Sequence, residues 1–66
     1  MYKLLKEIRT QKNITALEMA NLLGLKTASA YYKKENGTIN FSIAEANIIA
    51  KFFNMTVDEI FFKDNE

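Results

Sequence analysis

Sixty-six residues with neither cysteine nor histidine exclude a disulfide framework and almost every structural zinc site. At this length, stability must then come from efficient helix packing, alone or with a partner copy. The chain is 48% hydrophobic and carries five Phe and three Tyr, enough for one modest core, and no apolar run reaches the roughly 18–20 residues that span a bilayer.

Net charge is only +1, but its distribution is uneven. Residues 1–40 hold seven Lys/Arg against three acids, whereas residues 41–66 hold two Lys against five acids. A basic half suits phosphate and the acidic half faces elsewhere, although such asymmetry also occurs in proteins that never meet DNA. The start, MYKLLKEIRTQKN, lacks the apolar centre of a secretory signal, so a cytoplasmic location is expected.

With no proline and no low-complexity stretch, the chain divides into five short helical segments, expected to form a single domain over residues 1–66. The first covers about Tyr2–Lys12, with Leu5 and Ile8 inward and Lys3, Lys6 and Lys12 mostly outward. Asn13 is a plausible left-handed stop. Thr15 with Glu18 three residues on forms a capping box, Met19, Ala20, Leu22 and Leu23 supply a buried stripe, and Gly24 ends the second segment. The third takes Thr27 as N-cap and runs to Glu35, closed by the turn dipeptide Asn36-Gly37. A hairpin around that dipeptide lacks the upstream alternation it needs.

Ser42 and Glu45 form a second capping box, opening a helix to Phe53 with Ile43, Ala46, Ile49, Ala50 and Phe53 inward and Asn54 in the left-handed terminal position. Thr56 and Glu59 form a third, leading a last short helix with Ile60 and Phe61 buried. Three capping boxes make the fold all-α. Residues 15–36 read as two short helices around a glycine turn, an arrangement that sets a helix into the DNA major groove.

In this order, LLKEIRTQKNIT, ALEMANLLG, YYKKENG and FSIAEANIIAKFFNMTVDEIF resemble the Xre-type, phage-repressor and Cro-like helix-turn-helix regulators over nearly the whole chain, Leu5 to Phe61. The resemblance implies a compact five-helix lambda-repressor-like domain with the helix-turn-helix at about residues 15–36, ALEMANLLG as the support helix and YYKKENG as the end of the recognition helix. Two departures stand out. Ala16 occupies the place where the family often has a phosphate-clamping Gln, and the turn Gly24-Leu25-Lys26-Thr27 is one residue longer than usual. Counting back from Glu35 makes Thr27 the N-cap.

In that register Lys26, Ala28, Ser29, Tyr32 and Lys33 are the base-contact candidates. Lys33 can donate to guanine O6/N7 or to phosphate, Ser29 can bond either way, and Ala28 can offer only a methyl to thymine. Tyr32 can pack on a thymine methyl or a sugar. Phosphate candidates are Thr15, Ala16, Thr27, Lys34, Asn36, Thr38, Asn40 and Ser42, placed where helix starts and loops present amides and short polar groups. Each has a plainer reading as a cap or a solvated charge. Tyr31 belongs to the core. The resemblance makes Arg9 and Glu35 a largely buried ion pair that fixes the recognition helix.

Ile48, Phe52 and Phe62 do not fit the inward stripe. Either they extend the core or they form a homodimer interface, in which case two-fold symmetry predicts a pseudo-palindromic operator on double-stranded DNA. No metal, cofactor, membrane or small-molecule site is evident, and Asp58-Glu59 reads as dipole-favoured helix start rather than a catalytic pair. The function implied is a DNA-binding regulator, a phage- or prophage-type repressor that occludes a promoter. The alternative is a protein-interaction module on the same fold, antirepressor- or antitoxin-like.

Overall fold

The computed structural model describes residues 2–62, and the charges of Lys63, Asp64 and Glu66 counted above lie outside them. Five helices follow in order: α1 (Lys3–Gln11), α2 (Ala16–Leu23), α3 (Ala28–Glu35), α4 (Ile43–Phe53) and α5 (Val57–Phe61), with no strand among the described residues. The Cα radius of gyration is 10.7 Å, against ~10.8 Å expected for a folded chain of this length.

Local chemistry sets each boundary. Thr15, Ser42 and Thr56 each accept the backbone N–H of the residue three positions on, and Glu18, Glu45 and Glu59 reach back to the cap N–H, so all three capping boxes form. Thr27 caps α3 by accepting from Ala30 N–H at 3.1 Å. Gly24 (φ 75°) and Asn54 (φ 57°) close α2 and α4 in the left-handed region. Asn13 (φ 58°) turns the chain after α1, consistent with its small polar side chain tolerating that conformation.

Leu5, Met19, Tyr31, Ile49 and Ile60 form the fully buried centre, one from each helix. Phe41, from the loop before α4, fills a corner with Tyr2 and Phe61, the three rings meeting at centroid distances of 5.2–5.4 Å. Leu22 and Leu23 pack against the core at partial burial. One expected core residue is not there: Ile43 is 83% exposed. Although it continues the stripe of Ala46, Ile49, Ala50 and Phe53, it sits in the first turn of α4 at the open rim of a groove it shares with Val57, Phe61 and Phe62.

Helix α3 packs on α2 and α1, while α5 packs on α4 and α1. The fold therefore holds α3 apart from the α4–α5 pair, with α1 (through α5) and α2 (through α4) joining the two. None of the described helices is long and apolar enough to cross a membrane.

Candidate nucleic-acid interface

Helix α3 begins at Ala28 with Thr27 as its cap, the register counted back from Glu35. Within the turn, Leu25 N–H donates to Ala20 O at 2.8 Å while its side chain packs on the core. Lys26 beside it is exposed. Ser29, Tyr32, Lys33 and Asn36 are all exposed and share one face by their three- and four-residue spacings. Ala28 differs from expectation. It is half-buried and packed against the core, on the same side of the helix as Tyr31 and Glu35.

That inner side is anchored by charge. Arg9 Nε donates to Glu35 Oε2 at 2.9 Å and its Nη2 to Oε1 at 3.2 Å, with the two side chains only 7% and 5% exposed. Arg9 Nη1 also donates to Ile14 O, and the Tyr31 hydroxyl donates to Glu35 Oε2 at 2.8 Å. The fork geometry of arginine matches the carboxylate, and no buried side-chain polar atom among the described residues lacks a partner. The hydrogen bond to Glu35 raises the Arg9 pKa despite burial. Burial first, then the bond to Glu35, pushes the Tyr31 phenol far above its usual range.

The same crossing brings in a residue that periodicity assigned only to an outward face. Tyr2, Lys6, Tyr32, Glu35 and Asn36 line one cleft, so Lys6 stands at the rim of the α3 face. Its position one turn before Arg9, the partner of Glu35, was the available signal. The Arg9 guanidinium also lies 5.8 Å from the centroid of the Tyr32 ring, within cation–π range.

The proposed phosphate groups divide by where their hydrogens go. Thr15 donates its hydroxyl to Glu18, and Thr38 donates both its N–H and its hydroxyl to Asn36 Oδ1. Thr27 and Ser42 only accept at their hydroxyl oxygens among the described bonds, which leaves each a proton to donate. The Ala16 side chain is buried in the core. What this position offers is a backbone amide in the first turn of α2, where helix amides have no intrahelical partner.

Lys34 is redirected. Its ammonium donates to Asn40 O at 3.2 Å and to Glu45 Oε1 at 3.0 Å, with the two side chains 15% and 17% exposed. Burial alone would push the Glu45 carboxyl up. The backbone N–H of Ser42 and the Lys34 ammonium outweigh it and hold the carboxyl below its ordinary value.

Phe62 and Ile48 border two grooves that share Val57. Phe62 borders a groove of about 250 Å³ with Ile43, Ala46 and Val57. Ile48 lines a different groove with Met55 and Val57, and Phe52 stacks edge-on against Phe53 at 5.0 Å. All three are exposed.

No curated protein and no solved structure matches the chain significantly. The family described as helix-turn-helix, a DNA-binding class, matches residues 5–60. With a capped support helix, a four-residue turn and a recognition helix whose inner side is pinned by a buried ion pair, the chain belongs to that helix-turn-helix family.

Proposed function

We propose that the protein is a sequence-specific transcriptional repressor of the phage or prophage type, binding double-stranded DNA as a homodimer on a pseudo-palindromic operator. The observation that carries this reading is the exposed α3 face of Ser29, Tyr32, Lys33 and Asn36, backed on its inner side by the buried Arg9–Glu35–Tyr31 cluster. In this reading Lys33 and Ser29 read base edges, Tyr32 packs on a thymine methyl or sugar, and Lys26 approaches from the turn. The hydroxyls of Thr27 and Ser42, the first-turn amides of α2, and Asn36, Asn40 and Lys6 take backbone phosphates.

Lys33→Ala tests it. The expected loss is roughly 1–3 kcal/mol for a base contact, with relaxed preference at one position of the site. A uniform loss over all sequences, with a salt slope lower by about 0.9, would move Lys33 to a phosphate. Unchanged binding would remove it from the interface.

In this reading the dimer uses the apolar surface of α4 and α5. Ile43 joins Phe62 there as an exposed apolar pair, with Ile48 and Phe52 on the neighbouring flank, and such surfaces mark partner contacts. Sedimentation of Ile43→Glu and Phe62→Glu should show a shift to monomer mass, and an unaltered mass would reject this face. The same apolar face supports the second reading, an antirepressor- or antitoxin-like module. Salt separates the two: DNA affinity falls steeply as salt rises, whereas an apolar protein contact responds little.

A further inference from the structure

Lys34 and Glu45 lie eleven positions apart on opposite sides of the loop that follows α3, and their contact is the one polar bridge between α3 and α4 among the described ion pairs. The Lys34 ammonium holds two oxygens at once, Asn40 O in the loop and Glu45 Oε1 on the first turn of α4. Glu45 Oε1 also accepts Ser42 N–H at 2.9 Å. One carboxylate oxygen therefore closes the α4 capping box and grips the end of α3. Between these points the loop is bound internally: Ile39 N–H donates to Lys33 O at 3.0 Å, and Asn36 Oδ1 accepts from Thr38.

We infer that Lys34 is a positioning residue, a clasp that fixes the 36–42 loop against α4 and so sets where Asn36, Asn40 and Ser42 stand relative to the α3 face. Its charge is spent inside the protein. The consequence for DNA rests on the DNA-binding reading above, while the clasp itself does not.

Helix α3 makes no close contact with α4 itself; Phe41 anchors the far end of the loop by ring packing on Tyr2, Tyr31 and Phe61, and Lys34 supplies the polar tie across its exposed part. A phosphate bound at Lys34 would have to compete with Glu45 for an ammonium whose side chain is 15% exposed. The loop residues on either side are exposed and suited to phosphate.

Lys34→Met and Glu45→Gln, singly and together, test the clasp; Gln at position 45 preserves the capping box while removing the charge. Amide exchange of Ile39 in the free protein should accelerate about two- to fivefold in either single variant, the equivalent of a partly exposed ion pair. The double variant should be no faster than the singles. Affinity for the duplex enriched from random DNA should fall equally in both single variants with an unchanged salt slope.

A slope lower by about 0.9 in Lys34→Met alone, with Glu45→Gln behaving as the unmodified protein, would overturn the inference and make Lys34 a phosphate ligand. Unchanged Ile39 exchange in both variants would overturn it as well. If the unmodified protein enriched no duplex, the DNA reading alone would fall, and Ile39 exchange would still decide the clasp.

Discussion

The last turn of α3 carries two ion pairs side by side, Glu35 to Arg9 on α1 and Lys34 to Glu45 on α4, and they belong to different energetic regimes. The first is almost sealed from solvent, bidentate and joined by a tyrosine hydroxyl. The second is partly open and shares one oxygen with a helix cap. A sealed pair is costly to break because a lone charge is left inside, whereas an open pair falls back on water. Neighbouring residues of one helix thus hold the fold and shape the surface respectively.

Removing one member of the sealed pair should have the largest effect. Glu35→Ala is expected to cost about 3–5 kcal/mol, a large share of the ~5–15 kcal/mol typical of a whole domain, measured by urea unfolding. Replacing the cluster together (Arg9→Met, Glu35→Met, Tyr31→Phe) should recover most of that loss. If the triple variant were as unstable as the single one, the cost would lie in lost attraction rather than in a stranded charge.

Tyr31→Phe comes next, at about 1.5–3 kcal/mol for a hydrogen bond to a charged group. It also sharpens the comparison through pH. The Tyr31 pKa is raised above its ordinary 10.0 in the folded state. Its contribution is therefore complete below pH 10.0 and is lost as pH rises toward the folded value. Thermal melts above that pH should show a steeper decline for the unmodified protein than for Tyr31→Phe. Parallel declines would show that the phenol does not titrate against folding.

The smallest effect belongs to the open pair. Glu45 is depressed below its ordinary 4.5, so its contribution is present above that pH and disappears as pH falls through the folded value. As pH falls through the folded value of Glu45, loop amide exchange should rise in the unmodified protein but not in Glu45→Gln, and the two proteins should differ in stability by only about 0–1 kcal/mol. Amide exchange of the loop in both proteins, followed from pH 6 down to the onset of unfolding, reads this, and equal acceleration in the two would contradict the division of labour.

Most of the helical framework is legible in the sequence because its signals are local. Each Ser/Thr-x-x-Glu fixes a start within four residues, and Gly24, Asn54 and Asn13 mark reversals through their own backbone preferences. Arg9 and Glu35, 26 positions apart, emerge only from the resemblance. What periodicity missed depends on neighbours in space. Ile43 obeys the α4 stripe but stands at the open rim of a groove, and Ala28 turns inward because α3 lies closely along α2. Lys34 looks like one of two solvated lysines until the Asn36-Gly37 turn, with Gly37 at φ 90°, folds the loop back onto it. Lys6 reaches the recognition face only because the Tyr2 N–H docks the start of α1 on Glu35 O.

The most direct test of the central claim is selection from random duplex DNA with the 66-residue protein, followed by titration of the winner against a scrambled duplex at several salt concentrations. The account predicts enrichment of one pseudo-palindromic sequence, a specific affinity at least ~10³ tighter than for the scrambled duplex, and a steep decline of both with salt. A selected pool no different from the input, or equal affinity for both duplexes at every salt concentration, would contradict it.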